Sequence, residues 1–171
     1  MHGHALIDAW YRRLPRYLFI EDRLRDQVVV ELGCGLGVGA DFLADRGASQ
    51  VHAFDPDERQ ILKARSRYQR PNLSFEPSPA PPLPLESGSA GLVVVPEGGA
   101  VLRDEAWLQE IQRVLAPEGL ALIAAPNGDL EEPEPEAVAY YDFIESLEPL
   151  FGSVAMVAQT PMLAFTFVDF V

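Results

Sequence analysis

A single cysteine, Cys34, is present, so no disulfide can form within the chain and a disulfide-stapled scaffold is excluded. Long apolar runs are missing as well. The most apolar stretch, Val154 to Val171, is broken by Gln159, Thr160, Pro161 and Asp169 and falls short of the roughly 20 uninterrupted residues a membrane helix needs. The N-terminal MHGHALIDAWYRR lacks the basic-then-apolar order of a signal peptide, which points to a cytoplasmic setting. His2 and His4 lie at a chain terminus with no Cys near them, and no metal site is expected. Basic residues are absent from the whole C-terminal third. All 13 Lys and Arg lie at or before Arg113, whereas ten acids, from Glu118 to Asp169, follow it, and the formal net charge is −13. Such a region repels phosphate backbones and disfavours nucleic-acid binding. It permits a cationic substrate or a basic protein partner, beside the plainer role of a solvated surface.

What is there suits one ordinary soluble domain: 171 residues, 48% hydrophobic and 23% charged. A longer protein containing this domain is equally compatible. Residues 1–26 form a helical lead-in, with Leu6, Ile7, Trp10, Tyr11, Leu14, Tyr17 and Leu18 at helical spacing and Pro15 expected to split it into two short helices. From residue 27 to 171 strands alternate with helices. Strands are expected at Val28–Leu32, Val51–Phe54, Leu73–Phe75, Leu92–Val95 and Leu120–Ala125, with helices from Val38, from an Asp57 cap, from an Asp104 cap and around Tyr140, Ile144 and Leu147. The prolines from Pro77 to Pro84 forbid regular structure between the third and fourth strands. Val154–Val157 and Leu163–Phe170 read as a closing antiparallel hairpin. The expected fold is α/β: a doubly wound, mainly parallel, seven-stranded sheet with helices on both faces.

In such sheets ligands bind beyond the carboxyl ends of the strands, where glycines let a ligand approach the backbone. Gly33, Gly35, Gly37 and Gly39 follow the first strand directly. Two acids sharpen this signal. Glu31 ends a buried strand, where an unpaired carboxylate is costly and calls for a donor or a cation. Asp55 ends the second strand, the position from which a carboxylate accepts hydrogen bonds from ribose hydroxyls. A nucleoside is the natural occupant.

The segment Glu31-Leu32-Gly33-Cys34-Gly35-Leu36-Gly37 and the acid of Ala53-Phe54-Asp55 resemble the class I S-adenosylmethionine-dependent methyltransferases, with weaker matches at Leu83-Pro84-Leu85 and Arg113 to Leu120. The resemblance runs from about residue 27 to the end. It implies a Rossmann-like methyltransferase fold, S-adenosylmethionine as cofactor, and Glu31, Gly33, Cys34, Gly35, Gly37, Asp55 and Pro56 as the residues around it. Glu31 then favours the cationic methionyl end and Asp55 the ribose; Cys34 is a packing residue, not a nucleophile. The implied activity is methyl transfer to a small-molecule or protein acceptor. No catalytic residue is singled out, although Glu97 beyond the fourth strand is a candidate base.

The chain departs from the family pattern at Pro79 and Gly91, where relatives often carry Asp; neither residue can hydrogen-bond an adenine through its side chain. Two alternatives therefore stay open. One is a catalytically degenerate domain acting as a protein-interaction module, for which the cleft would be plugged by Pro79, Leu83 or the lead-in tyrosines. The other is a nicotinamide dinucleotide domain, since Gly35-x-Gly37-x-x-Ala40 also fits that fingerprint, although Glu31 would face its pyrophosphate.

Overall fold

The computed structural model describes residues 2–157, with side chains from residue 10 onward. Five strands form one wholly parallel sheet in the order β3-β2-β1-β4-β5: β1 Val28–Leu32, β2 Gln50–Asp55, β3 Leu73–Pro77, β4 Ala90–Val95 and β5 Leu115–Ile123. The near-continuous Val, Leu and Ala content of β1 and β4 reflects burial on both faces, the usual condition of a parallel sheet. Helices α1 (His2–Phe19), α2 (Val38–Asp45) and α3 (Glu58–Arg67) supply the core that meets Val29, Val51, Ala53, Leu92 and Val94. Helices α4 (Glu105–Val114) and α5 (Tyr140–Leu147) supply the core on the other face, against Val30, Leu32, Phe54, Val93 and Val95. The strand order reverses between β1 and β4, which opens the sheet's carboxyl edge there.

Several expectations hold residue by residue. Asp57 and Asp104 cap α3 and α4, accepting from Arg59 N at 2.9 Å and Ala106 N at 3.0 Å. Others need correction. The lead-in is one helix, not two. Proline forfeits a single intrahelical hydrogen bond, and Trp10 and Tyr17, on either side of Pro15, pack on each other and on Phe42 with ring centroids 5.3 to 6.0 Å apart. The inward face of α5 is Phe143 and Leu147, with Tyr140 left half exposed. β5 starts at Leu115, directly after α4, and carries an irregularity where Ala90 pairs with Leu115 but Leu92 with Leu120. Of the expected hairpin, Val154–Val157 is not in a strand, and Leu163–Phe170 lies outside the described residues.

Candidate functional site

The turn after β1 is tied to the end of β2 by backbone and by one side chain. Gly33 N and Cys34 N both donate to the Phe54 carbonyl, at 2.8 and 3.0 Å. Asp55 completes the tie: Oδ2 accepts from Gly35 N at 2.8 Å and Oδ1 from Asp57 N at 2.9 Å. One carboxylate thus organises both the glycine turn and the entry to α3. Each oxygen retains a second lone pair, so Asp55 can hold the loop and still accept from a ligand.

The glycines divide by role. Gly33, at φ +76°, has nothing within 4 Å of where a Cβ would stand, so it borders open space. Gly37, at φ +82°, is packed instead: a Cβ would lie 2.7 Å from the Phe75 ring and 2.9 Å from Ala64 Cβ. Gly35 lies beside Gln60, and Cys34 is buried, with burial pushing its thiol well above the ordinary range.

Glu31 is wholly buried among Val29, Val94 and their neighbours. Its Oε1 accepts from the Tyr17 hydroxyl at 2.5 Å, and its Oε2 has no hydrogen-bond partner. Burial pushes this carboxyl up to about 7; the Tyr17 hydrogen bond and the charge of Arg13 pull the other way, and Asp55 adds to the rise. Room for the pair comes from Gly39, where a Cβ would stand 2.2 Å from the Tyr17 oxygen and 2.4 Å from Oε1 of Glu31. Tyr17 therefore does not lie across the cleft; it seals Glu31 from the α1 side, and Tyr11 is exposed. Arg13 reaches Glu97 at 2.6 Å and Arg16 reaches the Pro96 carbonyl, so α1 spans from β1 to the end of β4.

A cleft of about 250 Å3 opens at the carboxyl ends of β1, β2 and β4. Its walls are largely apolar: Leu32, Phe54, Val95, Val101 and Trp107, together with Gly33, Pro56 and Pro79. Among the described residues, the polar side chains lining it are Ser78, Glu97 and Asp104, with no Lys or Arg. Pro79 is part of the wall, and Leu83 is turned into the core beside Phe54, so neither fills the space. Of the residues expected from sequence, Gly33 and Pro56 line the cleft, whereas Glu31 and Asp55 stand behind the loop. Sequence reading missed Gly39, Ser78 and Trp107 as parts of the site. The repeat of glycine at every second position as far as Gly39 is the one signal that could have marked the first of these.

Comparison with known proteins gives a consistent picture. The model of a family described as methyltransferase domain matches residues 29–119. A probable S-adenosylmethionine-dependent methyltransferase of Mycolicibacterium smegmatis is 36% identical over 127 residues, 73% of this chain and 48% of that protein. A probable S-adenosylmethionine-dependent methyltransferase of Mycobacterium tuberculosis is 37% identical over 120 residues, 69% of this chain and 43% of that protein. The chain thus spans about half the length, or less, of these curated relatives. Among solved structures, a SAM-dependent methyltransferase from Aquifex aeolicus superposes with a TM-score of 0.76 at 19% identity, covering 95% of this chain and 92% of that one, which shows the fold.

Proposed function

We propose that this chain, which belongs to the methyltransferase domain family, binds S-adenosylmethionine in the cleft beyond β1, β2 and β4 and transfers its methyl group to a small-molecule or protein acceptor. The observation that carries the reading is the chemistry of the cleft and its backing. Among the described residues the lining holds acids but no Lys or Arg, and behind the glycine turn sits a buried carboxylate with an unpartnered oxygen. A pyrophosphate would find no cation there; a ligand that joins a neutral nucleoside to an ammonium and a sulfonium suits it. The dinucleotide reading is disfavoured on the same ground.

The residues fit the cofactor in this way. Gly33 leaves the backbone open to close approach, while Cys34, Gly35 and Gly37 shape the turn that carries it. Asp55 accepts from ribose hydroxyls with its remaining lone pairs, and Pro56 with Pro79 flanks the adenine by shape. Glu31 offsets the ammonium from behind the glycine turn through its charge. The cofactor supplies a methyl group on a sulfonium that departs neutral. The chain's task is then to hold an acceptor lone pair in line and keep water out, for which the apolar wall of Leu32, Val101 and Trp107 is suited. The acids Glu97 and Asp104 in the lining favour a neutral or cationic acceptor over a phosphate-bearing one.

The open cleft also favours an enzyme over an interaction module. No helix among the described residues is long and apolar enough to cross a membrane. The base-free C-terminal third remains a candidate surface for a basic protein partner, and a cytoplasmic setting accords with the lone cysteine. Calorimetric titration with S-adenosylmethionine, its demethylated product and NADH tests the proposal. Micromolar binding of the first two is expected. No heat at millimolar concentration, or tight binding of NADH alone, would overturn it.

A further inference from the structure

Two sequence segments that the cleft itself does not use, Leu83-Pro84-Leu85 and the end of α4 at Arg113, meet in the structure. Glu110 and Arg113 lie one turn apart on α4 and form a two-point ion pair, with Nε to Oε2 and Nη2 to Oε1 both at 2.7 Å. Neither stops at the other. Oε1 of Glu110 accepts from Leu83 N at 2.7 Å, and Arg113 donates to the carbonyls of Leu85 at 2.8 Å and Leu83 at 3.3 Å. The pair thus reads backbone on both sides of Leu83, whose side chain is buried beside Phe54 of the cleft wall. At its other end the same segment is held by Ser78 N donating to the Asp55 carbonyl at 3.1 Å. Between the two anchors lie Pro79, Pro81 and Pro82, whose rings fix φ, so the anchor at Leu83 is transmitted along a stiff chain to Ser78 and Pro79 in the cleft.

We propose that Glu110 and Arg113 are positioning residues for the cleft: held against the backbone of Leu83 and Leu85, they set the place of the Ser78–Pro79 wall and with it the affinity for the adenosine end of the ligand. This rests on the function proposed above and deepens it. At Pro79 the chain has no acid to read an adenine, so recognition there depends on the wall's position and shape. Neither Glu110 nor Arg113 is among the residues that line the cleft.

The experiment compares wild type with Glu110→Gln and Arg113→Lys, each checked for folding by circular dichroism, in two measurements. The first is amide hydrogen exchange at Ser78. The second is calorimetric titration with S-adenosylmethionine and with methylthioadenosine, which keeps the adenosine end and lacks the amino acid. Both variants should exchange at Ser78, whose amide is bonded to Asp55, roughly tenfold faster while folded, and both ligands should lose the same factor in affinity, again roughly tenfold, the worth of one hydrogen bond to a charged group. Arg113→Lys keeps the charge but not the fork, so it guards against a variant that fails to fold. Unchanged exchange at Ser78 in folded variants overturns the proposal whether or not any ligand binds. So does a lowered melting temperature with unchanged affinities, the result of a purely structural pair. Wild type that binds neither ligand but shows the exchange effect in its variants removes the proposed function while the positioning of the wall stands.

Discussion

Glu31→Gln should stabilise the ligand-free protein, and by an amount that depends on pH. In the folded chain the Glu31 carboxyl is fully buried, has one donor in Tyr17, and is pushed up to about 7 from its ordinary 4.5, chiefly by burial. At ~1.4 kcal/mol per pH unit that gap is worth about 3 kcal/mol against the ionised form. The direction follows from the folded value lying above the unfolded one. The folded state holds the proton more tightly, so the group's stabilising contribution is full below pH 4.5 and is lost as pH rises through about 7. Glutamine keeps the shape and an oxygen acceptor for Tyr17 but does not titrate. The variant's gain over wild type should therefore grow by about 3 kcal/mol between pH 4.5 and pH 8, on top of any constant offset from the new amide. Urea unfolding followed by the fluorescence of Trp10 and Trp107 at several pH values measures it, and the other titrating groups cancel in the comparison. In a domain of this size the same gain would raise the melting temperature by roughly 6 to 12 °C at pH 8. A difference that stays flat between pH 4.5 and 8, or a wild type that gains on the variant toward alkaline pH, would refute the reasoning.

Because a bound ammonium favours ionised Glu31, affinity for S-adenosylmethionine should rise with pH, by up to roughly tenfold per unit below about 7, and level off above it; titrations of Glu31→Gln should show no such slope. Asp55→Ala removes the acceptor for Gly35 N and Asp57 N, so it should lower stability by about 3 kcal/mol and cofactor affinity ten- to hundredfold, as read by urea unfolding and calorimetry. An Asp55→Ala protein with wild-type affinity would place the ribose elsewhere. Cys34, buried and with its thiol pushed up, should resist alkylation by iodoacetamide at pH 8 until the chain is unfolded, a result that mass spectrometry of the intact protein reads directly.

The alternation of strands, the glycine turn and the two aspartate caps were legible because each is a local property: β-branched runs, positive φ and side-chain capping act within a few residues. Pro15 misled because its effect was overridden from outside the helix, by Phe42 of α2 holding Trp10 and Tyr17 in line. The division among the glycines was invisible for the same kind of reason. Whether Gly33 or Gly37 faces open space depends on Phe75 and Ala64, both distant in sequence. Spacing alone placed Glu31 at the end of a buried strand and Asp55 at the end of its neighbour. It did not show that Tyr17 would reach Glu31, because α1 lies outside the strand-helix alternation and nothing in its own periodicity fixes where it docks.

Two buried glutamates show how a carboxylate satisfied within the chain differs from one that is not. Glu110 is 5% exposed, and both of its oxygens meet the Arg113 fork or Leu83 N; these bonds hold its carboxyl below the usual range, so its burial is offset within the chain. Glu31 is more deeply buried, has one neutral donor, and is pushed the other way. In a core built from Val29, Val94 and Leu122, an apolar side chain at position 31 would cost the fold less. Arg13, the cation that acts on Glu31, is committed to Glu97 across the edge of the sheet. The deficit at Glu31 is therefore one that the described residues do not close. A positively charged group arriving beside the glycine turn would close it, and S-adenosylmethionine carries such a group at the end that the turn would hold.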